Sequence, residues 1–457
     1  MSILNNALSG AIASQLALNA ASQNIANLQT KGYTRQAALL ASVAPSAGSQ
    51  VGNGVSVTAL IRFSDGYKTQ QLWTSASELG AYSQTQPYLT QLEQVMADDK
   101  SNVSDGIDQF FAALNAVAGV DPTSTPLRQQ VVTAANLLSQ RFNSLNNVFN
   151  TQELSIRQQR SAIVDEANSA IATIASLNTQ ISAASAGGTN VSSLIDARDQ
   201  AIDSLSSLMK LEVNDQPDGS RNVSLANGQS LVLGGVGATL STDGGLSQTF
   251  SMTFAGTQFD LDPARMGGEM GGLSTYLNDT LLPTKQGVAD LARQLTDKIN
   301  TQLQAGTTMS GAPGKALFVF DPNSVSNMVS VAAGFQTSDL AFSSSVAAGP
   351  GDTGNLQKLV DIKNQSISVT RVGTVLIADA DTQLVGKLAV DSQQNKGALT
   401  TAQTLRTQAE NDWASTSGVN EDEEAVSLVE YQKMYQANMK VISVANALFD
   451  ATLAMMG

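Results

Sequence analysis

Each end of this chain carries a seven-residue apolar repeat, and that repeat limits what the ends can become. Near the start, Leu4, Leu8, Ala11, Gln15, Leu18, Ser22 and Ile25 follow at intervals of 4-3-4-3-4-3. Near the end, Leu428, Tyr431, Tyr435, Asn438, Ile442, Ala445 and Phe449 follow at 3-4-3-4-3-4. A helix turns once in about 3.6 residues, so this spacing lines one face with the named side chains. It predicts helices over residues 3–28 and 421–456. Each stripe needs a partner, so the two helices pair with each other or with copies in neighbouring subunits. Gly32 is a stop signal after the first helix. Glu421, Asp422, Glu423 and Glu424 open the last one, where a solvated run of carboxylates favours the helix dipole.

Between the ends the pattern changes twice. A length of 457 residues suits roughly three domains. Residues 33–62 hold short β-like runs, Val55-Ser56-Val57 and Leu60-Ile61, that suit a hairpin or extended arm. Residues 66–186 read as helical, with breaks expected at Asp98-Asp99, Asp121-Pro122 and Pro126. Gly187-Gly188 ends the run, and a short helix follows over 191–208. From residue 211 short apolar runs are split by Asp218-Gly219, Asn227-Gly228 and Asp243-Gly244, pairs suited to tight turns that need positive φ. Phe250, Met252 and Phe254 alternate with polar residues, as in a half-buried strand. A helix is expected over 272–304 and a strand over Leu317–Phe320. Residues 353–412 read as helical, with an interruption around 372–387.

Composition excludes much chemistry. There is no histidine and no cysteine, so mechanisms built on imidazole or thiolate are ruled out. The net charge of −14 gives nothing to gain from phosphate, which argues against nucleic acid. No Lys or Arg precedes Lys31 and no apolar run is long enough to span a bilayer, so neither a secretory signal nor membrane insertion is expected. Asp196, Arg198 and Asp199 suit a surface or interdomain ion-pair set better than an acid/base pair. Asp379 and Asp381 lack the Gly and the distal Glu of a calcium loop. Gly234-Gly235-Val236-Gly237 lacks the third glycine of a dinucleotide loop and opens no helix. Tyr431, Tyr435 and Phe449 read as a core or interface stripe rather than a base-stacking platform. No catalytic residue, cofactor or metal ligand is assigned.

Blocks at both ends resemble a known group. Ala7-Leu8-Ser9-Gly10, Ser22-Gln23-Asn24-Ile25-Ala26-Asn27 and Gly32-Tyr33-Thr34-Arg35-Gln36 resemble the start of flagellar axial proteins. The Ser22–Asn27 block is shared broadly by rod, hook and junction members, whereas the narrower Gly32–Gln36 block resembles the hook-associated junction members. Ser417 to Glu424, followed by Leu428, Tyr431-Gln432 and Tyr435-Gln436-Ala437-Asn438, is similar to the end of the same group. Asp108 to Leu114, Leu194 to Asp199 and Gly268 to Leu273 agree internally, and the likeness is weak over 236–262 and 365–410.

The resemblance implies a mainly α fold with a β-rich inserted domain. Residues 1–32 plus 418–457 would form paired coiled-coil helices of an inner assembly domain. Residues 33–210 plus 263–417 would form a helical rod domain with a β arm. Residues 211–262, extending as far as about 350, would form an outer β domain. The implied function is a non-enzymatic structural subunit that joins hook to filament and templates filament assembly. A hook or rod axial protein is the alternative, and a peptidoglycan-acting glycosidase a further one. The implied partners are copies of the chain in a ring or helical layer, the hook protein, the second junction protein (hook-associated protein 3) and a cytoplasmic export chaperone at the C-terminal helix. Export through the flagellar channel to an extracellular site is implied as well. The candidate assembly residues are Leu4, Leu8, Ala11, Leu18, Asn24, Ile25, Asn27, Gly32, Tyr33, Arg35 and Gln36 at the start, and Asn420, Glu423, Glu424, Leu428, Tyr431, Tyr435, Ile442, Ala445 and Phe449 at the end.

Overall fold

A computed structural model of the chain describes residues 2–44, 53–98, 102–245 and 247–456. It begins with α1 (Ser2–Ala26) and a two-stranded antiparallel arm, β1 (Gln36–Ser42) and β2 (Val55–Arg62). Then come α2 (Gly66–Ala97), α3 (Val103–Gly119), α4 (Thr125–Ala186) and α5 (Ser192–Leu208). Seven strands follow: β3 (Leu211–Asp215), β4 (Arg221–Leu225), β5 (Ser230–Leu233), β6 (Val236–Gly237), β7 (Thr239–Thr242), β8 (Phe250–Phe254) and β9 (Thr257–Leu261). The chain returns through α6 (Gly268–Thr275), a π-helical turn at Tyr276–Leu281 and α7 (Leu282–Ala305). Next are β10 (Phe318–Phe320), β11 (Val329–Val331), α8 (Gly354–Asp361), β12 (Ser366–Val369) and β13 (Gly373–Leu376). Two long helices close the chain, α9 (Ile377–Ser417) and α10 (Glu421–Met456).

Local signals explain most of the boundaries. Asp65 caps α2, its Oδ1 accepting from the Tyr67 and Lys68 amides at 2.9 and 3.2 Å. Asn102 caps α3 through the Asp105 amide at 2.7 Å. The expected break at Pro126 does not occur: the proline lies in the first turn of α4, where its missing N–H is no loss. α4 then runs unbroken for 62 residues, about 90 Å of helix. The break near Asp98 is present, while Asp99 lies outside the described residues. The interruption expected around 372–387 falls earlier, as the β12–β13 hairpin. The helix expected over 272–304 is present as α6 and α7, continuous through the π turn and beginning earlier, at Gly268.

The β segment forms a sheet of order β3-β4-β5-β6 and another of order β7-β8-β9. Gly219 and Gly228 take φ of +85° and +88° in the tight turns that join β3 to β4 and β4 to β5. Val223, Leu231, Val232, Leu240, Phe250 and Met252 are buried and belong to one apolar cluster with Phe142, Ile171 and Ile174 of α4 and Leu205 of α5. Phe110 stands edge-on to Phe111 and Phe318 at 5.5 and 5.7 Å in the same cluster. That cluster runs from Trp73 to Leu388 and, among the described residues, includes none of α1, the β1–β2 arm or α10. The two ends of the chain therefore stand apart from the main core.

Candidate assembly surface

α1 and α10 pack against each other, and α1 also packs against both arm strands. The pairing uses a different face of α1 from the one its leucines mark. Ala7, Ala11, Ala13, Ser14, Ala17, Ala20, Ala21 and Asn24 are buried. Of the apolar repeat read from the sequence, only Ala11 is buried; Leu18 and Ile25 are half-buried, and Gln15 and Ser22 are exposed. Leu4 and Leu8 are 37% and 48% exposed, and they continue into Ile12 and Leu16 at four-residue steps. Small side chains let two backbones approach closely, and a row of leucines at the contact would hold them apart. A Cβ on Gly10 would lie within 3 Å of the Asn438 carboxamide, which marks how near the helices come.

On α10 the expected residues do face the partner. Leu428, Tyr431, Tyr435, Asn438, Ile442 and Ala445 are half-buried among exposed neighbours. Phe449 is the exception, at 64% exposed. Gly10 lies against Asn438, and Arg35, just past the end of α1, pairs with Glu423 at the start of α10, so the helices run antiparallel. At equal rise per residue, Ser2 comes level with about Asn446 and leaves Phe449 with no α1 beside it. Outside the face that meets α1, α10 keeps apolar side chains in water: Val441, Val444 and Leu448 are 42–61% exposed.

The motif blocks meet where the pair joins the arm. Asn24, 1% exposed, acts as a piece of strand. Its Nδ2 donates to the Gln36 carbonyl at 2.9 Å, and its Oδ1 accepts from the Gln36 amide at 3.1 Å and from the Tyr33 hydroxyl at 2.9 Å. Burial raises the Tyr33 hydroxyl above its ordinary pKa, with the Asp196 and Glu424 charges adding to the effect. Gly32 has φ of +78° in the turn before Tyr33, a conformation that favours glycine. The Arg35 amide donates to the Ser417 carbonyl at 2.8 Å, and its guanidinium lies 4.4 Å from the Phe63 ring centre. Arg35 Nη1 meets Glu423 Oε2 at 2.7 Å, and its Nε lies 3.9 Å from Glu424 Oε1. The acidic run is therefore not simply solvated: Glu424 is buried and paired. Asn420 Oδ1 caps α10, accepting from the Asp422 and Glu423 amides at 3.1 and 3.4 Å. Asn27 bonds only locally, Nδ2 to the Gln23 carbonyl at 2.9 Å.

Sequence reasoning read Asp196 and Asp199 as part of an ion-pair set but missed the arginines, Arg62 and Arg221, that tie this unit to the rod. Arg62 of β2 reaches Asp196 at 2.6 Å and Asp199 at 3.0 Å on α5, and Arg221 of β4 pairs with the same Asp199 and with Asp215. Asp196 Oδ2 also accepts from the Thr34 amide at 3.2 Å. Burial raises the Asp196 carboxyl despite the Arg62 charge beside it, and burial lowers the Arg198 guanidinium to about 10. Four elements, β2, β3, β4 and α5, share one charge cluster, in which Asp196 and Asp199 are both paired with arginine. No group of His, Cys, Asp or Glu that could hold a metal occurs among the described residues. No described helix is long and apolar enough to cross a membrane.

Residues 89–318, half of the chain, match the family of the flagellar hook-associated protein FlgK helical domain. The chain belongs to the FlgK family. Residues 413–455, most of α10 among them, also match the C-terminal region of flagellar basal body rod FlgEFG proteins. Flagellar hook-associated protein 1 of Escherichia coli (strain K12) is 27% identical over 99% of both chains. The Bacillus subtilis (strain 168) protein of that name is 24% identical over 97% of this chain and 96% of its own. The structure of the flagellar hook junction protein FlgK from Burkholderia pseudomallei superposes with a TM-score of 0.67 at 16% identity. It covers 75% of this chain and 99% of that one, and shows the same fold. The terminal blocks singled out in the sequence lie in the paired helices and at their base, apart from the main core.

Proposed function

We propose that this chain is a non-enzymatic structural subunit of the bacterial flagellum that joins hook to filament and templates filament assembly. The observation that carries this reading is the second apolar face of the terminal pair. α1 and α10 cover each other through alanines and tyrosines and still expose Leu4, Leu8, Ile12 and Leu16 on one helix and Val441, Val444 and Leu448 on the other. Burying one such side chain is worth roughly 1.5–3 kcal/mol. Repetition around a ring multiplies that gain, so copies of the chain are the natural cover. Tyr33, Arg35, Gln36, Asn24, Asn420, Glu423 and Glu424 would set the angle of the pair, and the exposed apolar residues would make the contact.

On this reading the inner assembly domain is residues 1–32 plus 418–457, the rod is 33–210 plus 263–417, and 211–262 faces outward. The hook protein and hook-associated protein 3 would meet it above and below. An export chaperone would cover α10 before secretion through the flagellar channel to the extracellular axis.

The test is incorporation. Leu8→Asp and Leu448→Asp replace residues that are 48% and 61% exposed, so each monomer should fold. Each should be secreted yet absent from hook tips by electron microscopy. Normal filaments on either variant would overturn the reading. A muramidase assay on the wild-type chain should show no turnover.

A further inference from the structure

The chain has no cysteine, so its 12 methionine thioethers are its only sulfur groups. The fold sorts them. Met96, Met209, Met252, Met266, Met270 and Met328 are at most 3% exposed. Met434, Met439 and Met455 lie on α10 and are 41%, 43% and 81% exposed. Met434, Val441, Leu448 and Met455 follow at intervals of seven, so they share one side of α10 beside the face that meets α1. Met439 borders the same face from the other side. Half of the methionines are thus sealed in the main core, and these three stand on the surface of α10 that α1 leaves uncovered.

We propose that oxidation of Met434, Met439 and Met455 to the sulfoxide is a redox check on assembly, by which a chain oxidised before incorporation is refused. The proposal rests on the assembly reading above. The oxidant is a peroxide. A sulfur lone pair attacks one peroxide oxygen, an S–O bond forms and the O–O bond breaks. Sulfur is oxidised by two electrons, and the second oxygen leaves with the protons as water. A flexible apolar side chain becomes a polar, chiral one. A neighbour packed on the flank of Met434, Val441, Leu448 and Met455 would exclude water there, so each S–O dipole would be buried without a donor. Once a neighbour covers the stripe, the thioethers are shielded, which confines the check to the period before docking.

The experiment treats the full-length folded chain with hydrogen peroxide and follows sulfoxide by peptide mass spectrometry. Met434, Met439 and Met455 should oxidise at least about tenfold faster than the six core methionines, because thioether oxidation follows exposure. Met309 is 42% exposed in a loop after α7 and should oxidise with them. Treated and untreated chains are then added to isolated hooks with bare tips, and bound chain is counted by electron microscopy. Oxidised wild type should bind several-fold less than untreated. A chain with Met434→Leu, Met439→Leu and Met455→Leu should bind equally before and after peroxide, whatever its starting level. Met309→Leu should lose binding as wild type does. Equal binding of oxidised and untreated wild type, or an equal loss in the triple variant, overturns the redox check alone. Failure of untreated wild type to bind bare hooks overturns the assembly reading, and the redox check with it.

Discussion

A Cβ built on Gly10 would stand 2.6 Å from Asn438 Oδ1, closer than side chains pack, so α1 and α10 touch here almost backbone to side chain. The neighbouring atoms are the end of a carboxamide, whose Nδ2 also donates to the Met434 carbonyl at 2.9 Å. That group can turn aside for one methyl but not for a branched chain. Gly10→Ala should therefore pair nearly as well as wild type. Gly10→Leu should destabilise the pair by about 1–3 kcal/mol, as overpacking does. Amide exchange along residues 3–26 of the full chain measures the difference; equal protection in both variants would show that the contact does not limit the pairing.

Ile442 is half-buried on the side of α10 that meets α1, and Ile25 is half-buried near the end of α1. An aspartate at either place would put an unpaired charge where apolar side chains meet, at more than the isoleucine contributes. Ile442→Asp or Ile25→Asp should leave secretion and the rod intact and block incorporation at the hook tip. Filament protein would then appear in the medium, which immunoblotting detects.

Arg35 holds Glu423, which is largely exposed, and lies near Glu424, which is buried. The exposed pair alone is worth little, about 0.2–1 kcal/mol. Removing the cation also leaves a buried carboxylate without its neighbour, which costs more. Arg35→Ala should loosen the start of α10 more than Glu423→Ala does. Hydrogen exchange at residues 420–426 reads this directly, and equal effects would show that Glu424 does not depend on the arginine.

Asp381 of α9 is 2% exposed; its Oδ2 accepts from the Ser104 amide at 2.9 Å, and its Oδ1 has no protein partner. Burial pushes its carboxyl up to about 6 from the ordinary 3.8. Between those values the folded chain binds a proton that the unfolded chain has released. Its contribution to stability is thus fully present below the ordinary value and is lost as pH rises through about 6. Asp381→Asn removes the titration. From pH 7.5 to pH 5 the wild type should gain roughly 1.4 kcal/mol relative to the variant. Parallel melting curves across that range would rule it out.

The apolar cluster spans Trp73 to Leu388, and Lys68 Nζ donates to Thr416 Oγ1 at 2.6 Å where α2 meets the end of α9. A fragment of residues 64–418 keeps every one of these groups. It should fold as a soluble monomer with helical circular dichroism and a cooperative melt. A random-coil spectrum would mean that the terminal helices are needed for the core.

The sequence alone determined what depends on near neighbours. The 4-3 spacing specified a helix at each end, Asp-Gly and Asn-Gly pairs specified tight turns, and the seam on α10 from Leu428 to Ala445 was read with the right residues, because period and turn chemistry are local properties. Pro126 misled because a proline that breaks a helix and one that begins it differ only in what precedes them. Tertiary structure decided which face of α1 is used. Leucine and alanine both suit a helix, and hydrophobicity favoured Leu4 and Leu8; close packing favoured Ala7, Gly10 and Ala11, and it prevailed because small residues let the backbones meet. It also decided that Phe449 lies beyond the reach of α1, since the stagger of two antiparallel helices is set by the groups at their base. Those groups, Arg35 with Glu423 and Arg62 with Asp196, are separated by 388 and 134 positions in the chain. A charge pair leaves no periodic trace over such distances, so only the folded chain brings its members together.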